Sequence, residues 1–461
     1  MKRLFLILLA AMTVFSCQRE SIGSVEETGT RPEVNIDDPD DVNWASAVNY
    51  VFDSKVIPEI HLSISQEEWN RLLDLFDKDS NTQEYVHCDV KYVKDGETTL
   101  IPDSGLRLKG NTSRRRPEKN GKFRHCHFGL NFHYYNDDAG HTLKGMRRVD
   151  LKWFKEDPSY VREIFCYDLF RREGVWTAVN DVYCRLWLKV GDGSEIYYGV
   201  YGMLEHIDKN YLRIREKQFG THGGNLWKCH WGATLKKGEG SIGADDNKHD
   251  YTYELKTNKT ELSAARQQLE DFTGKLNSLS GSEFNKWISG VMDVELLLKT
   301  YAVNVAVGMW DDYWNNCNNY YLYFNSTDPQ KYRVWLIPYD YDNTLGTCNN
   351  CGVQSDAGRQ DPLHWGHGDY PLMTKILANG EWETYYKNCL RELCDGNFSY
   401  SSATARIKAW QSSISAYVKN DTGEDNAIED KPASWGCHSE YRLLDSGSNN
   451  FFKVKAASIP K

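Results

Sequence analysis

The period of the hydrophobic pattern changes partway along this chain, and that change limits the folds open to it. In the first half, apolar and polar residues alternate in short runs, which predicts strands. Residues 57–64 alternate in this way, and Ser65-Gln66-Glu67-Glu68 directly behind them has the spacing of a helix capping box. Residues 86–93, 106–109 and 128–134 continue the strand pattern. Asp157-Pro158-Ser159 predicts a helix start, with aspartate as cap and proline in the first turn. Gly174 predicts its end, and Val161, Ile164, Phe165 and Leu169 form its apolar stripe. Residues 183–190 and 196–204, joined by Gly191-Asp192-Gly193-Ser194, predict a hairpin, after which Asp208 can cap a helix. From Glu261 the period becomes helical, over residues 262–276, 284–307, 372–377, 382–393 and 403–418. One clear hairpin interrupts these helices, made of residues 320–324 and 332–337. A strand-rich half followed by a helix-rich half predicts an α+β protein with two lobes, and a cleft between lobes is a common place for a ligand.

The N-terminus bears on where such a fold would sit. Met1-Lys2-Arg3, the apolar residues 4–14 and Phe15-Ser16-Cys17 follow the pattern of a bacterial lipoprotein signal. The apolar run falls short of the ~20 residues that a membrane span needs, and no later run approaches that length. The expectation is a signal peptide over residues 1–17 with lipid on Cys17, a polar tether over 18–44, and a folded domain over 45–461. Gln18 follows the cysteine in place of aspartate, which by resemblance among lipoproteins leans towards the outer membrane of the cell envelope. The lipid would be the only membrane anchor.

A net charge of −10 without any basic tract argues against nucleic acid as a partner. Fifteen tryptophans and 28 tyrosines serve first as core and hairpin residues, yet they also suit sugar stacking and keep a glycan-binding reading open. Of 12 cysteines one is Cys17, which leaves an odd number, so at least one cannot pair within the chain. Cys348-Asn349-Asn350-Cys351 is a lone C-x-x-C with His364 and His367 downstream; zinc there ranks below a local disulfide or plain thiols.

Chemistry concentrates at one end of the 320–337 hairpin. Antiparallel strands place the start of the first beside the end of the second, so Asn318-Asn319 should neighbour Asp340 and Asp342. Asp311 and Asp312 lie just upstream. Hard oxygen donors in that number suit Mg²⁺ or Mn²⁺ better than zinc. Asp311 and Asn316 stand in D-x-x-x-x-N spacing, with Asp340-Tyr341-Asp342 following a strand pair later. Protein kinases use this grammar: a base aspartate, a metal-binding asparagine five residues on, then a metal-binding aspartate. The bland alternative is a solvated turn in which Asn and Asp bond their own backbone.

The motifs Leu106-Arg107-Leu108-Lys109-Gly110-Asn111-Thr112-Ser113-Arg114, Asp157-Pro158-Ser159-Tyr160-Val161-Arg162, Gly199-Val200-Tyr201-Gly202-Met203-Leu204-Glu205, Leu226-Trp227-Lys228, Asn318-Asn319-Tyr320-Tyr321-Leu322-Tyr323 and Pro338-Tyr339-Asp340-Tyr341-Asp342 follow one another in this order. Read together, they resemble the CotH kinase family. That resemblance implies an atypical protein-kinase-like fold, binding of ATP with Mg²⁺ or Mn²⁺, and phosphorylation of serine or threonine on a protein substrate. It implies Asp311 as catalytic base with Asp312 in reserve, and Asp340 as metal ligand with Asp342 and Asn316 or Asn319. It further implies Asn111, Ser113 and Arg114 as a cover over phosphates, and Glu205 and Lys228 at the nucleotide.

One departure stands out. The lysine common in the family before an aromatic-ended strand falls here on His125 or Cys126, with Arg124 and Lys122 the nearest cations. That departure supports a second reading, a catalytically inactive kinase-like lipoprotein that binds glycan or a partner protein. A glycosidase using carboxylates among Asp311, Asp340 and Glu205 is a third, disfavoured by the asparagine-rich surroundings. Export would also place the domain outside the cytoplasm, where ATP is scarce.

Overall fold

The computed structural model describes residues 44–138, 140–244, 251–347, 356–433 and 439–460. Cys17, the lipoprotein signal, most of the tether and the C-x-x-C at 348–351 lie outside them. In the first half, helix α1 (Trp44–Phe52) leads into strand β1 (Glu59–Ile64), helix α2 (Gln66–Lys78), and strands β2 (Val86–Lys94) and β3 (Glu97–Lys109). A small hairpin, β4 (Glu118–Lys119) and β5 (Lys122–Phe123), precedes β6 (His127–Asn131) and β7 (Arg148–Lys152). Helix α3 (Arg162–Arg172) then crosses to the hairpin β8 (Asp181–Val190) and β9 (Ile196–Glu205).

Seven of these strands close into a barrel in the order β1-β2-β3-β6-β7-β9-β8. Closure comes from the parallel pairing of β1 with β8, which leaves neither strand as an open edge. Leu108, Phe128, Leu151, Met203 and Val182 are register partners in turn and fill the interior, so the residues beside them in sequence face out.

Short helices α4 (Lys209–Ile214) and α5 (Glu216–Phe219) lead to a second sheet of five strands. Its members are β10 (Asn225–Cys229), β11 (Ile242–Gly243), β12 (Tyr253–Leu255), β13 (Tyr320–Phe324) and β14 (Val334–Pro338), ordered β11-β12-β10-β13-β14. Around it lie α6 (Leu262–Ser278), α7 (Gly281–Val291), α8 (Val294–Ala306), the single turn α9 (Tyr313–Asn316), α10 (Pro371–Leu377), α11 (Gly380–Asp395), α12 (Tyr400–Ile414) and α13 (Phe451–Ser458). β13 and β14 are buried along their whole lengths, which explains their unbroken apolar sequences.

The architecture is therefore mixed α+β, with strands dominating the first half and helices the second. Of the kinase-like two-lobed expectation only this coarser part is met, because the first half closes into a barrel. Local periodicity cannot reveal that closure, since β1 and β8 are far apart in sequence and a strand pattern does not name its partner.

Some boundaries also move. Ser65 caps α2 as its box predicts, its Oγ accepting from the Glu68 N–H at 3.1 Å. The helix expected from Asp157 begins at Arg162 instead. Asp157 still organises that start: its carboxylate accepts from the N–H groups of Val161 and Arg162 at 2.9 Å and binds the buried Arg162 guanidinium. The helix expected over 284–307 is split, because Asp293 caps a fresh start through the Leu296 N–H at 3.0 Å. Among the described residues no helix is long and apolar enough to cross a membrane, and eight cysteines there are free thiols.

Candidate functional site

The outward-facing row of the barrel supplies the cations. Lys109 on β3 is the register partner of His127 on β6. Lys152, last residue of β7, follows Leu151, which pairs with Phe128, so the row runs Lys109, His127, Lys152. Lys152 reaches across to the second half of the chain. Its ammonium lies 2.8 Å from Glu163, 2.5 Å from Asp340 and 3.3 Å from Asp342. Glu163 is the second residue of α3, and the motif that starts this helix therefore places it.

Burial would disfavour a charge on Lys152, but Asp340, Asp342 and Glu163 outweigh it and hold the lysine well above its ordinary pKa. Burial likewise acts against ionisation of Asp340, yet Lys152 and Lys109 bring it down to about 2. Glu163 behaves differently. Burial lifts it to about 7 although Lys152 pulls the other way. Asp340 and Asp342 keep 35% and 33% of their side chains exposed, so the cluster opens to solvent on their side.

The acidic segment after β14 is held from several directions. The Asp340 backbone N–H bonds the Tyr167 hydroxyl at 3.2 Å, and the Tyr341 N–H bonds Glu163 at 3.2 Å. Asp340 itself has φ 65°, a left-handed conformation that aspartate tolerates better than most residues with a Cβ. The Tyr341 hydroxyl donates to Asn304 at 2.5 Å, and Asn304 donates to Asp312. Asp312 also caps α9 through the Asn315 N–H at 2.8 Å. Burial pushes Asp312 up to about 8. It thus ties the α9 turn to the Asp340 segment, a scaffold position.

Asp311 occupies the other side of that turn. The turn brings Asn316 back to it at 2.6 Å, and Asn318 and Asn319 donate to it at 3.1 and 2.8 Å. Burial raises the Asp311 carboxyl to about 6, partly opposed by Asn316 and Asn318 and helped by the charges of Asp340 and Asp342. Three carboxamide donors on one carboxylate fix its orientation.

Two further lysines line the same region. Lys109 meets Asp150 at 3.1 Å and donates to the Tyr339 hydroxyl at 2.9 Å. His206 shares Asp150 at 3.0 Å. Lys228 on β10 lies over the Tyr339 ring at 5.2 Å. Burial, then repulsion from Lys256 and Lys109, lowers Lys228 to about 8. The site therefore sets cations from the barrel and from β10 against carboxylates from α3, the α9 turn and the end of β14.

As they stand, the described His, Cys, Asp and Glu side chains form no ready-made group of three for a metal ion. Asp340 and Asp342 both bond Lys152 instead, and three carboxylates facing one ammonium leave negative charge over. Asp340 and Asp342, each about one-third exposed, are hard carboxylate donors of the kind that Mg²⁺ or Mn²⁺ takes.

A family model described as CotH kinase protein matches residues 106–444. This chain belongs to the CotH kinase family. No curated protein matches it. The matched span takes in the end of β3 and its glycine loop, Lys152 on β7 and Glu163 on α3, the α9 turn and the end of β14.

In this member of the family, the residues expected at the nucleotide do not all come together. Lys228 lies in the site. Asn111 is exposed and Ser113 half-buried on the loop after β3, while Arg114 is occupied by backbone carbonyls, bonding Gly110 at 3.0 Å and Thr82 at 2.6 Å. Glu205 is bonded away from the lysine cluster. It takes both Arg215 amino groups at 2.7 and 2.8 Å and Asn180 at 2.9 Å. Arg215 is only 2% exposed, so Glu205→Ala should cost about 3–5 kcal/mol by leaving a buried guanidinium unpaired. A thermal melt checks this.

Lys152 and Glu163 escape the sequence reading. A signal for them exists, because Val149-Asp150-Leu151-Lys152 alternates like a strand and is followed by a helix start with glutamate in its first turn. That is the strand–helix placement of a kinase lysine and its glutamate.

Proposed function

We propose that this protein is a metal-dependent protein kinase that transfers the terminal phosphoryl group of ATP to a serine or threonine hydroxyl of a protein substrate. The observation that carries the reading is the Lys152 ammonium held between Glu163 and Asp340. Protein kinases require such a lysine–glutamate pair beside a metal-binding aspartate. When bound, Mg²⁺ or Mn²⁺ would neutralise charge on the phosphate oxygens; Asp340 and Asp342, with an oxygen of Asn316 or Asn319, would hold it.

The chain's own residues divide the remaining work. Lys152, Lys109 and Lys228 bind phosphate oxygens, and Asn111 and Ser113 lie on the loop that covers them. Asp311 orients the acceptor hydroxyl and takes its proton as the new oxygen–phosphorus bond forms and the bond to the ADP oxygen breaks. Lys152 also answers the departure at His125 and Cys126 on which an inactive fold would rest. At the N-terminus we place lipid on Cys17, holding the domain at the cell envelope on the outer membrane, with the protein substrate as its partner.

Calorimetric titration of ATP into the full-length chain, with and without Mg²⁺ or Mn²⁺, tests the reading beside Asp340→Ala. Metal-dependent binding that Asp340→Ala loses, with an unchanged far-ultraviolet spectrum, is the expected result. Absence of binding by both chains would overturn it and redirect attention to glycans and partner proteins.

A further inference from the structure

His127 stands at the centre of the cationic row and has no role in the scheme above. Its ring is 2% exposed and stacks on Trp153 with centroids 4.8 Å apart. Nδ1 accepts the Trp153 backbone N–H at 3.1 Å. A neutral imidazole that accepts through Nδ1 carries its proton on Nε2. That Nε2 is buried and has no hydrogen-bond partner. Burial, then Lys152 and Lys109, keep the ring neutral by lowering its pKa well below the ordinary value.

An unpaired buried donor costs stability, so its presence between two site lysines calls for an acceptor. The surroundings define that acceptor. Lys109 is the cross-strand partner of His127 on one side and Lys152 follows in line on the other. The loop after β3 lies against the same edge of the ring: a Cβ on Gly110, where φ is +102°, would come 3.4 Å from the His127 Cδ2, which adjoins Nε2. An oxygen arriving there meets a neutral N–H donor beneath a glycine loop, with the positive charges of Lys152 and Lys109 near enough to act on the ring. A third lysine in this position would face like charges on both neighbouring strands, and a neutral histidine avoids that repulsion.

We infer that His127 is a phosphate-binding residue of the nucleotide site, donating its Nε2–H to a phosphate oxygen of the bound nucleoside triphosphate between Lys109 and Lys152. The inference rests on the nucleotide reading proposed above. His127 would act by positioning that phosphate, without exchanging a proton.

Two substitutions separate the two ring nitrogens. His127→Asn retains an acceptor for the Trp153 N–H and loses the distal donor, whereas His127→Gln retains a distal donor and loses that acceptor. In calorimetric titrations of the full-length protein, His127→Asn should weaken MgATP binding by ~10-fold or more, the size of a hydrogen bond to a charged group. His127→Gln should stay within about 3-fold of the parent, a difference well under that of such a bond. Adenosine, which has no phosphate, should bind all three chains alike. Equal MgATP affinity in the parent and His127→Asn would overturn the inference alone, while no MgATP binding by the parent would overturn the nucleotide reading and this inference with it. The His127 ring ¹⁵N shifts in the unsubstituted chain give a readout independent of mutant folding. They should move on saturation with MgATP and not with adenosine, and no movement with MgATP would overturn the inference.

Discussion

Lys152→Met should reduce phosphoryl transfer by at least ~10²-fold, the scale seen when one preorganised charge-stabilising donor is removed from an active site. Methionine keeps much of the aliphatic stem and removes only the ammonium, so the loss would report charge more than packing. Glu163, Asp340 and Asp342 would then face one another without their shared counter-ion. Their folded-state pKa values would rise above those of the unfolded chain. Carboxylates raised in this way bind protons more tightly in the folded state, so the variant's stability should fall as pH rises and recover on acidification. Thermal melts of parent and variant between pH 5 and about pH 8, the span in which perturbed carboxylates titrate, check this. A variant with parental activity would remove Lys152 from the site. Lys152→Arg is not expected to rescue fully, since a planar fork does not place one point charge among three carboxylates.

The chain discloses some of this site and hides the rest for physical reasons. D-x-x-x-x-N spacing is legible because a single helical turn, capped by Asp312, is enough to return Asn316 to Asp311. The approach of Asn318 and Asn319 towards the Asp340 segment is legible because the hairpin register pairs Tyr320 with Pro338. Each inference needs only contacts within a short stretch of chain. Lys152 with Asp340, and Lys109 with Tyr339, are different. They join the barrel to the end of β14, and only tertiary packing sets them face to face.

The same distinction explains Glu205. A strand-end glutamate in a family-like motif reads as functional, yet its partner Arg215 lies only ten residues on and takes both carboxylate oxygens. Asp312 shows the converse. As a candidate base it competes with Asp311 on sequence alone, but its cap to Asn315 and its link through Asn304 to Tyr341 give it a scaffold role. Of the two neighbouring carboxylates, Asp311 is the one whose bonds come entirely from carboxamides of the turn and the residues just after it.

Asp311→Asn is therefore expected to lower turnover by ~10²- to 10⁴-fold, the usual contribution of a positioned general base, while MgATP affinity changes little. The pH profile gives an independent check. Burial raises the Asp311 carboxyl to about 6, so the parent should lose activity as pH falls through that value and the base becomes protonated. On the alkaline side Lys228, lowered by burial to about 8, loses its charge as pH rises past that value. Weakened nucleotide binding should follow, seen as a rising KM for MgATP with a steadier kcat. Lys228→Arg, whose guanidinium stays charged, should abolish that alkaline rise in KM while leaving the acid limb in place. The acid limb belongs to kcat and should vanish from the residual activity of Asp311→Asn. An acid limb that persists there with the same midpoint would assign proton transfer to another group, and Asp311 would then be only an anchor for the three asparagines around it.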